Sequence, residues 1–379
     1  MTLLRGSKTA SAIENWDFPD ADEGQNDNII VESWLPIENP TWYNRLLAVG
    51  GGGWQAGRST LSYENMKGDI GDGYATTTTD AGLGSAVDPI DWALTSPGNV
   101  NLYNLNNFGS VSLNDQAIIS KALIKGFYGK NPAFSYWNGC SQGGRQGVLL
   151  AQRYPTAYDG ISAGAPVLYT SLTGPKLYWP QEVMNTLKAY HYGCEMDAIS
   201  CSAITACDGL DGVVDGIVSN PDVCLAKFDP FKLIGTPVPN CHQAGNRTVK
   251  ISTAAAVVVN ASWHGMVTAK GARVWYGLPQ GSPISAEGDG AMQLPAIAAT
   301  NCSSGICVGS PSYLPLTWFT KFSPRGDPNF SLANMTHSEF DNLVHTGHQI
   351  YASTLDTDDP DLSRFRDAGG KMVTFHGLM

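Results

Sequence analysis

Charge is scarce in this chain. Asp, Glu, Lys and Arg make up 15% of its 379 residues, where soluble proteins usually carry ~25%. The deficit falls hardest on the basic side. Only 23 Lys and Arg stand against 34 Asp and Glu, a net charge of −11 with a pI near 5.0. That balance argues against nucleic acid or a membrane surface as partner, since either calls for a basic footprint. Long apolar runs are also missing: no stretch reaches the ~18 residues that a spanning helix needs. None of the eight cysteines forms C-x-x-C, and no His is interleaved at zinc-finger spacing, so a structural zinc is not expected. No internal repeat or low-complexity tract is visible.

Gly, Thr, Ser and Asn take the place of charge on the expected surface, as in secreted proteins. Eight cysteines and five N-x-S/T sequons, at Asn246, Asn260, Asn301, Asn329 and Asn334, favour the secretory route. The opening residues Met1–Arg5 lead into Glu14, Asp17, Asp20 and Asp22 with no apolar core of a signal peptide. At the other end Lys371–Phe375 reads as a strand just before Met379. A buried strand is a poor place for a domain to stop, so both termini are expected to be missing residues.

The most informative stretch is Gly139-Cys140-Ser141-Gln142-Gly143-Gly144. Aromatic, strand-like Ala133–Trp137 precedes it, and a helical stretch from Arg145 to Tyr154 follows, stopped by Pro155. Strand, G-x-S-x-G, helix is the pattern of a nucleophile elbow. The glycines are needed because a Cβ would collide with the neighbouring elements, and the serine must accept a strained backbone. Such a turn exposes Ser141 Oγ and aims the N–H of Gln142 at the same point. Val49-Gly50-Gly51-Gly52-Gly53-Trp54 follows another predicted strand. Glycine-rich loops of this kind give the second oxyanion donor of α/β-hydrolases, here one of Gly51, Gly52 or Gly53. A phosphate loop is the competing reading, but the lysine of G-x-x-x-x-G-K-[ST] is absent.

Strand signals at Ile29–Leu35, Arg45–Val49, Tyr74–Thr79 and Gly160–Pro166 alternate with helical ones. Leu113–Tyr128 repeats Ile119, Leu123 and Phe127 at four-residue spacing and closes at Gly129. This rhythm predicts an α/β fold with a mostly parallel sheet covered on both faces. The expected organisation is a polar N-terminal segment 1–28, a first part of the catalytic domain 29–167, an inserted lid 168–323 holding seven cysteines, and a return to the sheet at 324–379.

Within the lid, Cys207-Asp208-Gly209-Leu210-Asp211-Gly212-Val213-Val214-Asp215-Gly216-Ile217 places three aspartates in a glycine-rich loop. With the carbonyls of Val213 and Ile217 they would give the oxygen-only shell that suits Ca²⁺, although the spacing is not that of an EF-hand. A Cys207–Cys224 disulfide would close the loop, worth ~3 kcal/mol by loop entropy. His345 and His348 are read as a solvated helix face. His191, His242, His264 and His337 are read as structural, and Asp80 as a strand-end turn. Trp54, Tyr74, Trp92, Trp263, Trp275 and Trp318 are read mainly as core.

With these words in view, the chain resembles the tannase and feruloyl esterase family of secreted α/β-hydrolases from about residue 29 onward. The matching words include Leu46–Gly53, Thr79-Asp80, Gly139–Gly147, Tyr158-Asp159-Gly160, the Cys207–Ile217 loop, Gly369-Gly370-Lys371 and His376-Gly377. The resemblance implies that Ser141 is the nucleophile. It further implies that Cys140 is disulfide-bonded to a cysteine beside the catalytic histidine, and that Asp208, Asp211, Asp215 and the Val213 and Ile217 carbonyls bind calcium. By the same resemblance the triad Asp and His follow the His-Gly word and fall beyond Met379, so His376 is not the base. The 379 residues alone are expected to lack efficient activity. Leu83, Val111 and Asn114 stand where the family often has His, Arg and His. The reading that follows is a serine esterase for small aromatic (galloyl or feruloyl) esters. Its rival is an inactive fragment or pseudoenzyme that binds phenolic or glycan ligands. The pairing of Cys194, Cys201, Cys241, Cys302 and Cys307 stays open.

Overall fold

β-Branched and aromatic segments pair into one sheet in the computed structural model, which describes residues 2–4, 9–15, 28–38, 40–285, 296–323 and 331–377. The chain divides into two compact units, the described residues of Met1–Thr170 with Ile350–Gly377, and those of Ser171–Gln349. The second unit thus extends past position 323, where the sequence placed the return to the sheet.

The first unit is built on eight strands: β1 (Thr2–Leu4), β2 (Thr9–Asn15), β3 (Ile30–Trp34), β4 (Arg45–Val49), β5 (Ala75–Thr79), β6 (Phe134–Cys140), β7 (Gly160–Gly164) and β8 (Lys371–Phe375). Their order is β1-β2-β3-β5-β4-β6-β7-β8. From β5 to β8 every neighbour is parallel, while β1, β2 and β3 add antiparallel pairs on the other side. The N-terminal segment expected only as a polar stretch therefore contributes two strands. Their sequences, Thr-Leu-Leu and Thr-Ala-Ser-Ala-Ile-Glu-Asn, are too short or too mixed to announce a strand, and a strand on the antiparallel side needs no continuous apolar run.

Around the sheet lie α1 (Thr60–Gly71), α2 (Ser112–Tyr128) and α3 (Gln142–Arg153). Helix α2 stops where the sequence placed its end: Gly129 takes φ 77° and donates its N–H to Lys125 O. The core collects Leu46, Ala48, Trp137, Leu149, Leu150 and Ile161. Strand β5 is unusual in burying four consecutive threonines. Their hydroxyls find partners: Thr77 Oγ1 donates to Glu32 O at 2.9 Å, Thr79 Oγ1 to Ile30 O at 3.0 Å, and Ser120 Oγ to Thr77 Oγ1 at 2.7 Å. A buried hydroxyl without a partner would cost free energy, so these bonds let a polar strand sit at the centre of the sheet.

The second unit packs α4 (Thr170–Leu187), α5 (Gly193–Cys207) and α6 (Thr253–His264) around Met184, Met196, Ile199, Val258, Val259 and Trp263. Two β-ribbons, Pro237–Cys241 with Arg247–Lys250 and Thr300–Ser303 with Ile306–Gly309, lie in the same unit. The expected Cys207–Cys224 disulfide is present, and Cys194–Cys241 and Cys302–Cys307 pair as well. Cys140 and Cys201 are unpaired and exposed. Of the sequon asparagines, Asn246, Asn301 and Asn334 are exposed and Asn260 is half-buried in α6, while Asn329 lies outside the described residues. No described helix is long and apolar enough to cross a membrane. Two further helices, α7 (His337–Leu355) and α8 (Ser363–Asp367), precede β8.

Candidate active site

Strand β6 ends at Cys140 and α3 begins at Gln142, so a single residue makes the turn. That residue is Ser141, with φ 58° and ψ −114°. An L-residue held there stores roughly 1–3 kcal/mol and persists only where its surroundings over-determine it. Here they do. Ser141 N donates to Gly164 O at 3.0 Å, and Ser141 O accepts from Arg145 N at 2.9 Å and Val167 N at 3.3 Å. The glycines are required by contact. A Cβ on Gly139 would lie 2.5 Å from the carbonyl carbon of Gly143, and one on Gly144 would run into Gly164 O. Ser141 is exposed at the end of this turn.

The glycine-rich loop after β4 is stitched to the same helix. Gly50 N donates to Asn138 O at 3.1 Å and Gly143 N to Gly51 O at 3.1 Å. The side-chain amide of Gln146 bridges the loop: Oε1 accepts from Gly51 N at 3.0 Å, and Nε2 donates to Ala56 O at 2.9 Å. The loop approaches so closely that a Cβ on Gly50 would fall 2.7 Å from Gly143 Cα. One sequence expectation is thereby corrected. The N–H of Gly51 is already bonded to Gln146 and is not available to an oxyanion. Among the described residues the N–H groups of Gly52, Gly53 and Gln142 make no hydrogen bond.

Arg145 and Gln146 were not singled out from the sequence. Both are fully buried polar residues, and the signal that could have found them is a cation and an amide on a helix flanked by glycines. Arg145 Nε donates to Gln142 Oε1 at 2.9 Å, Nη2 to Phe108 O at 3.1 Å, and Nη1 to Gly109 O at 3.0 Å and Leu355 O at 3.4 Å. Its guanidinium also lies over the Phe108 ring, 5.6 Å from the centroid. Burial pushes its pKa down to about 9, the nearby Arg153 adds to this and Asp356 opposes it, so the group stays cationic at neutral pH.

Other residues fall into place as structure. Asp80 Oδ1 accepts from Ile30 N and Gly82 N, and Oδ2 pairs with Arg58 at 3.0 Å, which makes it the anchor of the turn after β5. Trp54 and Trp92 pack on Phe108. Leu83 is buried, and Val111 and Asn114 are half-buried. His348 Nδ1 meets Ser171 Oγ at 2.8 Å, His337 Nε2 meets Val267 O at 2.8 Å, and exposed His376 contacts Gly377 O. Among the described residues no histidine is hydrogen-bonded to Ser141 Oγ.

In the second unit the Asp208–Ile217 loop is tied down by the Cys207–Cys224 disulfide. Asp208 Oδ1 accepts from Asp215 N and Gly216 N, Asp211 Oδ1 from Val213 N, and Asp215 Oδ1 from Ile217 N. The Val213 N–H first, and then the Ser219 side chain, hold the Asp211 carboxyl below its ordinary pKa by hydrogen bonding to it. Three carboxylates with neighbouring backbone carbonyls make an oxygen-only donor set that is chemically suited to a hard cation. The oxygens are not gathered to one point, for the described residues contain no cluster of three or more His, Cys, Asp or Glu that could hold a metal.

The sequence matches the family described as tannase and feruloyl esterase over residues 19–379. It is 35% identical to a probable feruloyl esterase of Arthroderma benhamiae across 94% of this chain and 62% of that one. It is 29% identical to a tannase of Aspergillus oryzae across 93% of this chain and 63% of the relative. Tannin acyl hydrolase from Aspergillus niger superposes with a TM-score of 0.79 at 29% identity, covering 92% of this chain and 62% of that one. The chain thus spans about three fifths of the length of these relatives.

Replacing Gln146 by Leu orphans the Gly51 N–H and the Ala56 carbonyl, each worth ~1–3 kcal/mol when buried and unpaired. The expected outcome is a loss of that order in denaturant unfolding together with faster amide exchange at Gly51. Unchanged exchange there would contradict the bridging role.

Proposed function

The chain belongs to the tannase and feruloyl esterase family, and we propose that it carries the nucleophile of a secreted serine carboxylic ester hydrolase for small aromatic esters. The observation that carries this reading is the strained, exposed Ser141 at a one-residue strand-to-helix turn, with the N–H groups of Gln142, Gly52 and Gly53 unpartnered among the described residues. Ser141 Oγ attacks the ester carbonyl, and the carbonyl oxygen becomes an oxyanion. The N–H of Gln142, with that of Gly52 or Gly53, receives the developing charge. One such donor is worth about 10²–10³ in rate. The tetrahedral intermediate collapses by expelling the alcohol, and water then releases the acid from the acyl-serine. A histidine must take the Ser141 proton and pass it to the leaving alcohol, with a carboxylate to orient it.

By family resemblance that histidine and aspartate follow the His376-Gly377 word, beyond Met379, and a cysteine beside the histidine pairs with Cys140. The exposed, unpaired Cys140 next to Ser141 fits that role. The aromatic acyl group is taken from the kinds of ester that the relatives' names specify, feruloyl esters and tannins. The three disulfides and the exposed sequon asparagines support a secretory, glycosylated product.

Calcium is proposed as a structural ion whose binding would draw together the carboxylates of Asp208, Asp211 and Asp215 and the carbonyls of Val213 and Ile217, which stand apart in this structure. It would cross-link the loop and take no part in chemistry at Ser141.

In the protein expressed from its complete gene, Ser141→Ala should abolish hydrolysis of aryl esters with a melting temperature within a degree or two of the parent, on the order expected for an exposed side chain. Retained turnover would sink the assignment. Free calcium at about 100 times its Kd should add ~2.7 kcal/mol of stability. The Asp211→Asn/Asp215→Asn pair should remove that dependence, and a melting curve indifferent to both chelator and calcium would show that no ion is held.

A further inference from the structure

Helix α3 carries a buried cation that ester hydrolysis as described leaves without a task. Arg145 has no solvent exposure, and among the described residues none of its guanidinium nitrogens bonds a carboxylate, the nearby Asp356 acting on it only through its charge. Burying a guanidinium costs several kcal/mol that neutral acceptors repay only in good geometry. A residue kept for stability alone would be better replaced by an apolar one of similar size.

Its acceptors show what it holds. Phe108 and Gly109 lie in the π-helical turn Asn107–Val111 that runs into α2. Leu355 ends α7, so its carbonyl belongs to the negative pole of that helix. These three carbonyls come from segments distant in sequence and fix the guanidinium plane from outside α3. The fourth bond runs back to the elbow. Nε donates to Oε1 of Gln142, the residue directly after Ser141, whose side chain is only 4% exposed. Anchoring that side chain inward leaves the Gln142 peptide one orientation, with its N–H unpartnered at the first turn of the helix.

We propose that Arg145 is a positioning residue: it orients the Gln142 peptide so that its N–H meets the oxyanion formed at Ser141. The proposal rests on the reading of Ser141 as nucleophile. The task requires a planar fork, because one group must serve Gln142 and three carbonyls at once. Lysine offers the charge without the fork.

The test uses the protein expressed from its complete gene and an aryl ester substrate. Arg145→Lys should lower kcat about 10- to 100-fold, the scale of a misplaced catalytic group, with KM changed less than about twofold. Affinity for a boronic acid that mimics the tetrahedral intermediate should fall in parallel with kcat, while affinity for the product acid stays constant. A merely structural arginine would lower the melting temperature and leave kcat per folded molecule and boronate affinity intact. That result overturns the proposal, as does an equal loss of boronate and product affinity. If the lysine variant does not fold, Gln142→Met removes the Nε acceptor while sparing the other three bonds. It should reproduce the kcat and boronate losses, and parent-like values would again overturn the proposal. The Ser141→Ala control separates the two ideas. If that variant is inactive and Arg145→Lys is unimpaired, only the positioning role fails; if it is active, the nucleophile assignment fails.

Discussion

Everything at this site depends on keeping one L-residue in a backbone conformation it would not choose. Ser141 at φ 58° would relax if either flanking element could move away. It cannot, because Gly139 touches Gly143 while Gly144 touches Gly164 and Pro166. Three stretches of backbone meet closely: a Cβ on Gly139 would push strand β6 from helix α3, and one on Gly144 would push α3 from the end of β7. The strain is thus stored by close packing of main chain, and the reward is a hydroxyl presented at a turn with no side chain in front of it.

Close packing alone would not orient the N–H groups. That depends on two buried side chains one helical turn from the serine. Gln146 takes the Gly51 N–H and the Ala56 carbonyl and so fixes the glycine-rich loop. Arg145 takes Gln142 and three carbonyls. Both networks bring a loop or helix end from elsewhere in the chain onto α3. A polar network of this kind specifies a unique arrangement when its hydrogen bonds are made, and is costly when they are not. The N–H groups of Gly52, Gly53 and Gln142, unpartnered among the described residues, belong to the loop and the helix that these networks hold.

Local signals made much of this legible. Short apolar, β-branched or aromatic stretches bounded by turn residues marked β3 to β8, Gly129 marked the end of α2, and the flanked G-x-S-x-G marked the elbow, because each depends on residues adjacent in sequence. The Cys207–Cys224 pair was also readable, being 17 residues apart around one glycine-rich loop. What escaped depends on distant contacts. No pattern near Arg145 indicates that Leu355, 210 positions away, supplies an acceptor. Gly51 looked like any other glycine of its loop until Gln146, 95 positions on, was seen to occupy its N–H. Strand β1 was hidden because it is only three residues long, β2 because Thr9–Asn15 mixes small, polar and apolar residues without a strand-like run, and Cys194–Cys241 because 47 residues separate the partners.

The most direct test of the central claim is covalent capture of the nucleophile. The protein expressed from its complete gene is treated with a fluorophosphonate, digested with trypsin, and its serine adducts are located by mass spectrometry. A single phosphonylated site is expected, at Ser141 in the peptide Asn131–Arg145, forming at the rate at which esterase activity disappears. Loss of activity with the adduct on any other residue, and Ser141 unmodified, would contradict the account.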